Sequence, residues 1–189
     1  AAAPDNNHQP AGGNGIRWFK SLGATDITSL PLIDDVSAND AEVVSALRDA
    51  KLIYMLGGFT HYLGWTLLES KAWDAVLEAY RNGAVVAGSS AGAMVMCEYY
   101  YDPSRGKVEK GLNLVPNACV LPHHNTFGKN WSGKLGKLVP DVTLLGIDER
   151  TGMLSEGASW QVLGSGAVTI YRNDQIESYE TGQNFVLKK

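Results

Sequence analysis

The chain has 189 residues, 44% of them hydrophobic and 19% charged, with 21 glycines, five tryptophans and a formal net charge of −4. That length suits one domain burying a two-sided sheet, and the mildly acidic balance excludes the basic footprint of a nucleic-acid binder. No apolar run approaches a membrane span, no basic-then-apolar leader opens the chain, and Cys97 and Cys119 have neither metal-ligand nor disulfide-framework spacing; a cytoplasmic protein without membrane association is expected.

From the N-terminus, "GGNGIRWFKSL" (12–22) is predicted helical and "TDITSLPLI" (25–33) extended. "SANDAEVVSALRDA" (37–50) is predicted as a helix capped by Ser37 or Asn39, with Glu42 in its first turn. "KLIYML" (51–56) is a short apolar strand that stops at Gly57 and Gly58. "HYLGWTLLESKAWDAVLEAYRNG" (61–83) carries apolar residues at helical spacing and stops at Asn82-Gly83. "AVVAGS" (84–89) is the next strand and "AGAMVMCEYY" (91–100) the next helix. Strands over 118–123 and 143–148 flank a helix near 129–138, whose lysines read as a solvated face. The tail from Ser159 alternates with period two between turn signals and is predicted as antiparallel strands.

Strands apolar on both faces, alternating with helices, indicate an α/β fold with a parallel sheet covered by helices. Such sheets present reactive groups at the carboxyl ends of their strands. Three stretches lie at such ends: "LGG" (56–58), "GSS" (88–90) and "PHH" (122–124).

Gly88-Ser89-Ser90-Ala91-Gly92 fits G-x-S-x-G, which holds a serine hydroxyl out on a tight strand-to-helix turn. The plain alternative is close strand–helix packing at the two glycines. Read functionally, the N–H of Ala91 would receive a developing oxyanion, with a second donor from Gly58 or Phe59. A serine needs a base. Of four histidines, His8 lies in a polar stretch and His61 opens a helix, whereas His123 and His124 end a strand. Either of that pair fits. The imidazole then needs an acceptor on its other nitrogen, and Asp102, ahead of Pro103, is favoured over Glu98. Arg105 and Lys107 are candidates to meet an acidic substrate group.

"GSSAGAMVM" resembles the nucleophile segment of the dipeptidase E and cyanophycinase family of serine peptidases, and "LGGFT" resembles its double-glycine segment. "GLNLVPNACVLPHHNTF" (111–127) and "LLGIDERTGMLSEG" are similar to two further family segments, all four in the family's order over residues 40–170. The resemblance implies a class I glutamine amidotransferase-like (flavodoxin-like) fold. That fold is a three-layer α/β sandwich around a mostly parallel sheet, here with antiparallel strands at the C-terminal end.

The resemblance also implies a Ser-His-Asp/Glu triad that cleaves small peptides next to aspartate, either Asp-X dipeptides or β-linked Asp-Arg, with no metal or organic cofactor. Ser90 matches the nucleophile and His123 the base, with Asp102 the nearest match for the acid and Glu98 second. Gly58 and Ala91 are the expected oxyanion donors; Gly57, Phe59, His124 and Arg105 are the expected substrate contacts. "AAAPDNN" resembles the family segment just after its second strand. The whole chain, 1–189, is therefore expected to be a single peptidase domain lacking the family's first two strands, and a homodimer is compatible with such a sheet. Two other functions fit the elbow: an α/β-hydrolase-type esterase, and a non-catalytic binding module on the amidotransferase-like fold.

Overall fold

The computed structural model describes residues 8–173 and 175–187, so the opening "AAAPDNN" stretch lies outside the described residues. The chain divides into two units, Ala1–Gly92 and Ala93–Lys189.

In the first unit, helix α1 (His8–Ser21) is followed by residues 24–33 without a regular element. The stretch expected to be extended over 25–33 joins no sheet; Pro31 has no N–H to offer a ladder. The helix expected over 37–50 is two: a short α2 (Asp35–Ala38) and α3 (Ala41–Asp49). Ser37 belongs to the capping box of α2, where the Asp34 carboxylate accepts from Ser37 N at 2.8 Å and Ser37 Oγ accepts from Asp34 N at 2.9 Å. Asp40 rather than Ser37 or Asn39 caps α3, accepting from Glu42 N at 2.9 Å and Val43 N at 3.2 Å.

The apolar stretch over 61–83 also divides, into α4 (Thr60–Leu67) and α5 (Lys71–Arg81). Glu69 turns left-handed there (φ +59), and Ser70 Oγ accepts from Trp73 N at 3.1 Å to open α5. Val43, Val44 and Leu47 of α3 and Ala72, Trp73, Ala75, Val76 and Ala79 of α5 are the buried faces of these two packed helices. Strands β1 (Leu52–Met55) and β2 (Val85–Gly88) pair in parallel, Leu52 opposite Val85 and Met55 opposite Gly88. Their carboxyl ends therefore lie side by side.

Helix α6 (Ala91–Val95) carries the chain into the second unit. It stops five residues short of the expected boundary. Cys97 bridges to Val115, and the β-favouring tyrosines form β3 (Tyr99–Asp102), which pairs with β4 (Lys107–Lys110). Next come β5 (Ala118–Leu121), a 3-10 turn (Gly128–Trp131), α7 (Ser132–Leu138) and β6 (Thr143–Ile147). An unexpected β7 (Thr151–Glu156) follows, and the tail from Ser159 forms β8 (Ser159–Gly164), β9 (Ala167–Arg172), β10 (Gln175–Glu180) and β11 (Asn184–Val186).

One sheet of this unit runs β10-β9-β6-β5 and another β11-β8-β7. All four residues of β5 are buried, as are Thr143, Leu144, Leu145 and Gly146 of β6, which suits the parallel β5–β6 pair. The fold is α/β, as its sequence pattern indicates. Among the described residues, however, parallel pairing is confined to β1–β2, β5–β6 and the isolated Cys97–Val115 bridge, and every other named strand pair is antiparallel. Short connections such as those after β7 and β9 cannot make the crossover that a parallel partner requires.

Candidate active site

In the first unit the two expected loops leave adjacent strand ends. Ser89 N donates to Met55 O at 3.1 Å, which ties the serine turn to the end of β1. Ser90 itself is left-handed (φ +49) and half-buried, a backbone state costing a non-glycine residue about 1–3 kcal/mol. A Cβ added to Gly92 would stand 2.1 Å from Met55 O, so only a glycine lets α6 start this close to β1. A Cβ on Gly57 would lie 3.1 Å from Ser90 Cβ and 3.6 Å from Ser90 Oγ. Gly57 and Ser90 are thus immediate neighbours. Gly58 is exposed, and Phe59, also exposed, stands at the N-cap of α4; Ala91 opens α6 and is buried.

In the second unit, β5 and β6 run in parallel with Leu121 opposite Gly146, so the loops that follow them also meet. His123 Nδ1 is 2.7 Å from Glu149 Oε1, and the ring stacks on Phe127 with centroids 5.0 Å apart. His123 is left-handed as well (φ +53), its carbonyl accepting from Thr126 N and Gly128 N.

Asp102, expected beside the histidine, occupies the end of β3 and uses Oδ1 to accept from Ser104 N at 3.0 Å and Ser104 Oγ at 2.6 Å. Its Oδ2 is buried without a hydrogen-bond partner. Glu98 lies ahead of β3 rather than on a helix, and accepts from Asn117 N at 2.8 Å. The carboxylate on His123 is therefore Glu149, in place of either expected acid. The signal for it was available in "TLLGIDER": two consecutive acids leave the carboxyl end of a buried parallel strand, the same placement that singles out "PHH".

His124 differs from its expected place at the substrate. It is only 8% exposed, with Nδ1 3.2 Å from Asp148 Oδ1 and Nε2 2.7 Å from the Tyr171 hydroxyl. Both ring nitrogens are engaged. Arg105, on the turn between β3 and β4, pairs with Glu109 at 3.0 Å. A cavity of about 530 Å³ is lined by Tyr99, Lys107, Glu109 and Lys110 of that hairpin with Leu138 and Val139, and includes neither Ser90 nor His123. Lys134 of the lysine-rich stretch is no purely solvated face: its Nζ donates to the Tyr101 hydroxyl at 3.0 Å and lies 4.9 Å from that ring's centroid. Among the described residues no group of three or more His, Cys, Asp or Glu is arranged to hold a metal ion, and no helix is long and apolar enough to cross a membrane.

Comparison with known proteins adds a second line of observation. The profile of peptidase family S51 matches residues 6–163. A cyanophycinase of Nostoc sp. (strain PCC 7120 / SAG 25.82 / UTEX 2576) is 32% identical over 184 residues, which is 88% of this chain and 61% of that protein. Peptidase E of the same strain is 26% identical over 161 residues, 76% of this chain and 66% of its own. Among solved structures, a peptidase from an acI-B1 actinobacterium matches with a TM-score of 0.81 at 30% identity, over 98% of this chain and 80% of that one. The chain spans 61% of the length of that cyanophycinase and of the one from Trichormus variabilis (strain ATCC 29413 / PCC 7937) that it also matches.

Proposed function

Because the chain belongs to peptidase family S51, we propose that it is a serine peptidase that hydrolyses small peptides next to aspartate, as Asp-X dipeptides or β-linked aspartyl bonds. Ser90 supplies the nucleophile and His123 the base. With Nδ1 of His123 turned to Glu149, the nitrogen that takes the serine proton is Nε2, and Glu149 orients the ring and balances the imidazolium. The N–H groups of Ala91 and Gly58 receive the oxyanion, His123 returns the proton to the leaving amine, and water then releases the acyl group by the same steps.

Gly57 keeps the approach to Ser90 open, and the exposed ring of Phe59 offers substrate an apolar surface. Arg105 is assigned to the acidic side chain of the substrate, which would displace Glu109 from its guanidinium. The observation that carries this reading is the left-handed backbone of Ser90, a strained state for a serine, at the end of a parallel strand.

A fluorophosphonate probe tests the proposal directly, applied to wild type, Ser90→Ala and His123→Ala and followed by Asp-X, X-Asp and β-Asp-Arg peptides. Labelling should vanish in Ser90→Ala and fall sharply in His123→Ala, and Asp-containing peptides should be cleaved. Labelling that survives Ser90→Ala removes the nucleophile assignment. Hydrolysis of p-nitrophenyl acetate with no peptide cleaved would make the protein an esterase, and a wild type that never labels would make it a binding module.

A further inference from the structure

The geometry points to His124, Asp148 and Tyr171 as a positioning set that holds His123 against Glu149; this rests on the role proposed above for that pair. One buried ring and two half-buried partners form the set. The Asp148 carboxylate faces His124 Nδ1, the Tyr171 hydroxyl faces His124 Nε2, and both distances are within hydrogen-bond reach. One neutral tautomer satisfies all of it: Nδ1–H donates to Asp148, and Nε2 accepts from the phenol O–H.

Asp148 is anchored in turn, its Oδ2 accepting from Ala167 N at 3.0 Å while its own N–H donates to Ala167 O at 3.2 Å. Tyr171 stands on β9 opposite Leu144 of β6, so the histidine is tied to two neighbouring strands. Its ring lies over Gly146, where an added Cβ would come within 2.4 Å of Cδ2. No larger residue than glycine fits beneath it.

The set lies within one residue of the catalytic pair on each loop. His123 and His124 are consecutive after β5, and Asp148 and Glu149 are consecutive after β6. The loops are also joined by His124 N donating to Ile147 O at 2.9 Å and by Glu149 N donating to Asn125 Oδ1 at 3.0 Å. His123 needs such support, because its left-handed backbone would relax if released. A histidine that only filled space would need neither polar partner. Here the partners determine the rotation of the His124 ring, and with it the path of the chain into His123.

The test compares wild type with Tyr171→Phe, His124→Phe and His124→Gln. Each is assayed for kcat and KM on one Asp-X peptide, for the Nδ1 nitrogen shift of His123 in histidine-labelled protein, and for Tm. The expected result is a kcat lower by about tenfold to a hundredfold in Tyr171→Phe and His124→Phe with KM little changed. The His123 Nδ1 signal should move, and the folded state should persist. His124→Gln, whose amide can still accept from Tyr171, should recover part of kcat. Unchanged kcat and an unmoved His123 signal in folded Tyr171→Phe and His124→Phe would overturn the proposal. If Ser90 proves not to be a nucleophile, the His123 signal alone still decides whether the set positions that ring, so the two failures are distinguishable.

Discussion

Two side chains with left-handed backbones, Ser90 and His123, are the residues proposed for the chemistry. Strain at such positions persists only where surrounding contacts over-determine it. The sharpest residue-level contrast is between the two carboxylates. Glu149→Gln keeps the shape but removes the charge opposite the imidazole, and should lower kcat by about 10²–10⁴-fold. Asp102→Asn, in a residue whose contacts run to Ser104, should leave kcat unchanged. Steady-state assays of the two variants on one Asp-X peptide check this, and a kcat loss confined to Asp102→Asn would restore the acid expected from sequence. That expectation took the acid from proximity to a proline in the loop after the nucleophile helix. The residue found instead comes from a strand that follows the histidine in the chain.

At the scale of elements, the two breaks in helical pattern have local causes that substitution can expose. Glu69 is exposed and left-handed between α4 and α5, so Glu69→Gly should relieve about 1 kcal/mol and raise the denaturation midpoint. Ser70→Ala removes the cap of α5 and the bond that Ser70 Oγ donates to Leu67 O, and should lower stability by about 1 kcal/mol or more. Urea denaturation of the two variants reads both signs. The start of α6 is more tightly constrained. In Gly92→Ala the new methyl meets the carbonyl of Met55, a backbone atom that cannot rotate away. That substitution should cost about 1–3 kcal/mol and abolish fluorophosphonate labelling by displacing the serine turn from β1.

For the whole molecule, the second unit buries weak acids whose protons the folded state retains. Burial pushes the Cys119 thiol up to about 12 from an ordinary value of 9, and burial with the neighbouring Cys119 raises Cys97 further. Burial foremost, then Glu109 and Asp102, pushes the Tyr100 phenol up to about 12. Each group binds its proton more tightly when folded, so unfolding releases protons between its unfolded and folded values. Stability is therefore complete below about pH 9 and should fall as pH rises from there towards about 12. Denaturation midpoints across that range check the slope. Below it, a thiol-reactive disulfide reagent should modify neither cysteine until the protein unfolds.

Much of this architecture was legible from sequence because its signals are local. Apolar runs of strand length, the glycines that follow "KLIYML" and close "AVVAG", and the period-two tail located β1, β2, β5, β6 and the antiparallel strands from Ser159 onward, but not β3, β4 or β7. Helix bounds at Leu67 and Val95 were not legible, since the left-handed turn at Glu69 and the bridge from Cys97 to Val115 override runs that read as helix. Sequence alone also determined which strands carry histidines and acids at their carboxyl ends. Only the tertiary structure decided which of these meet. The β5–β6 register sets Leu121 beside Gly146, and the side chains beyond then pair His123 with Glu149 and His124 with Asp148. Chain spacing cannot encode that choice, because it is made by hydrogen bonds between strands that are far apart in sequence.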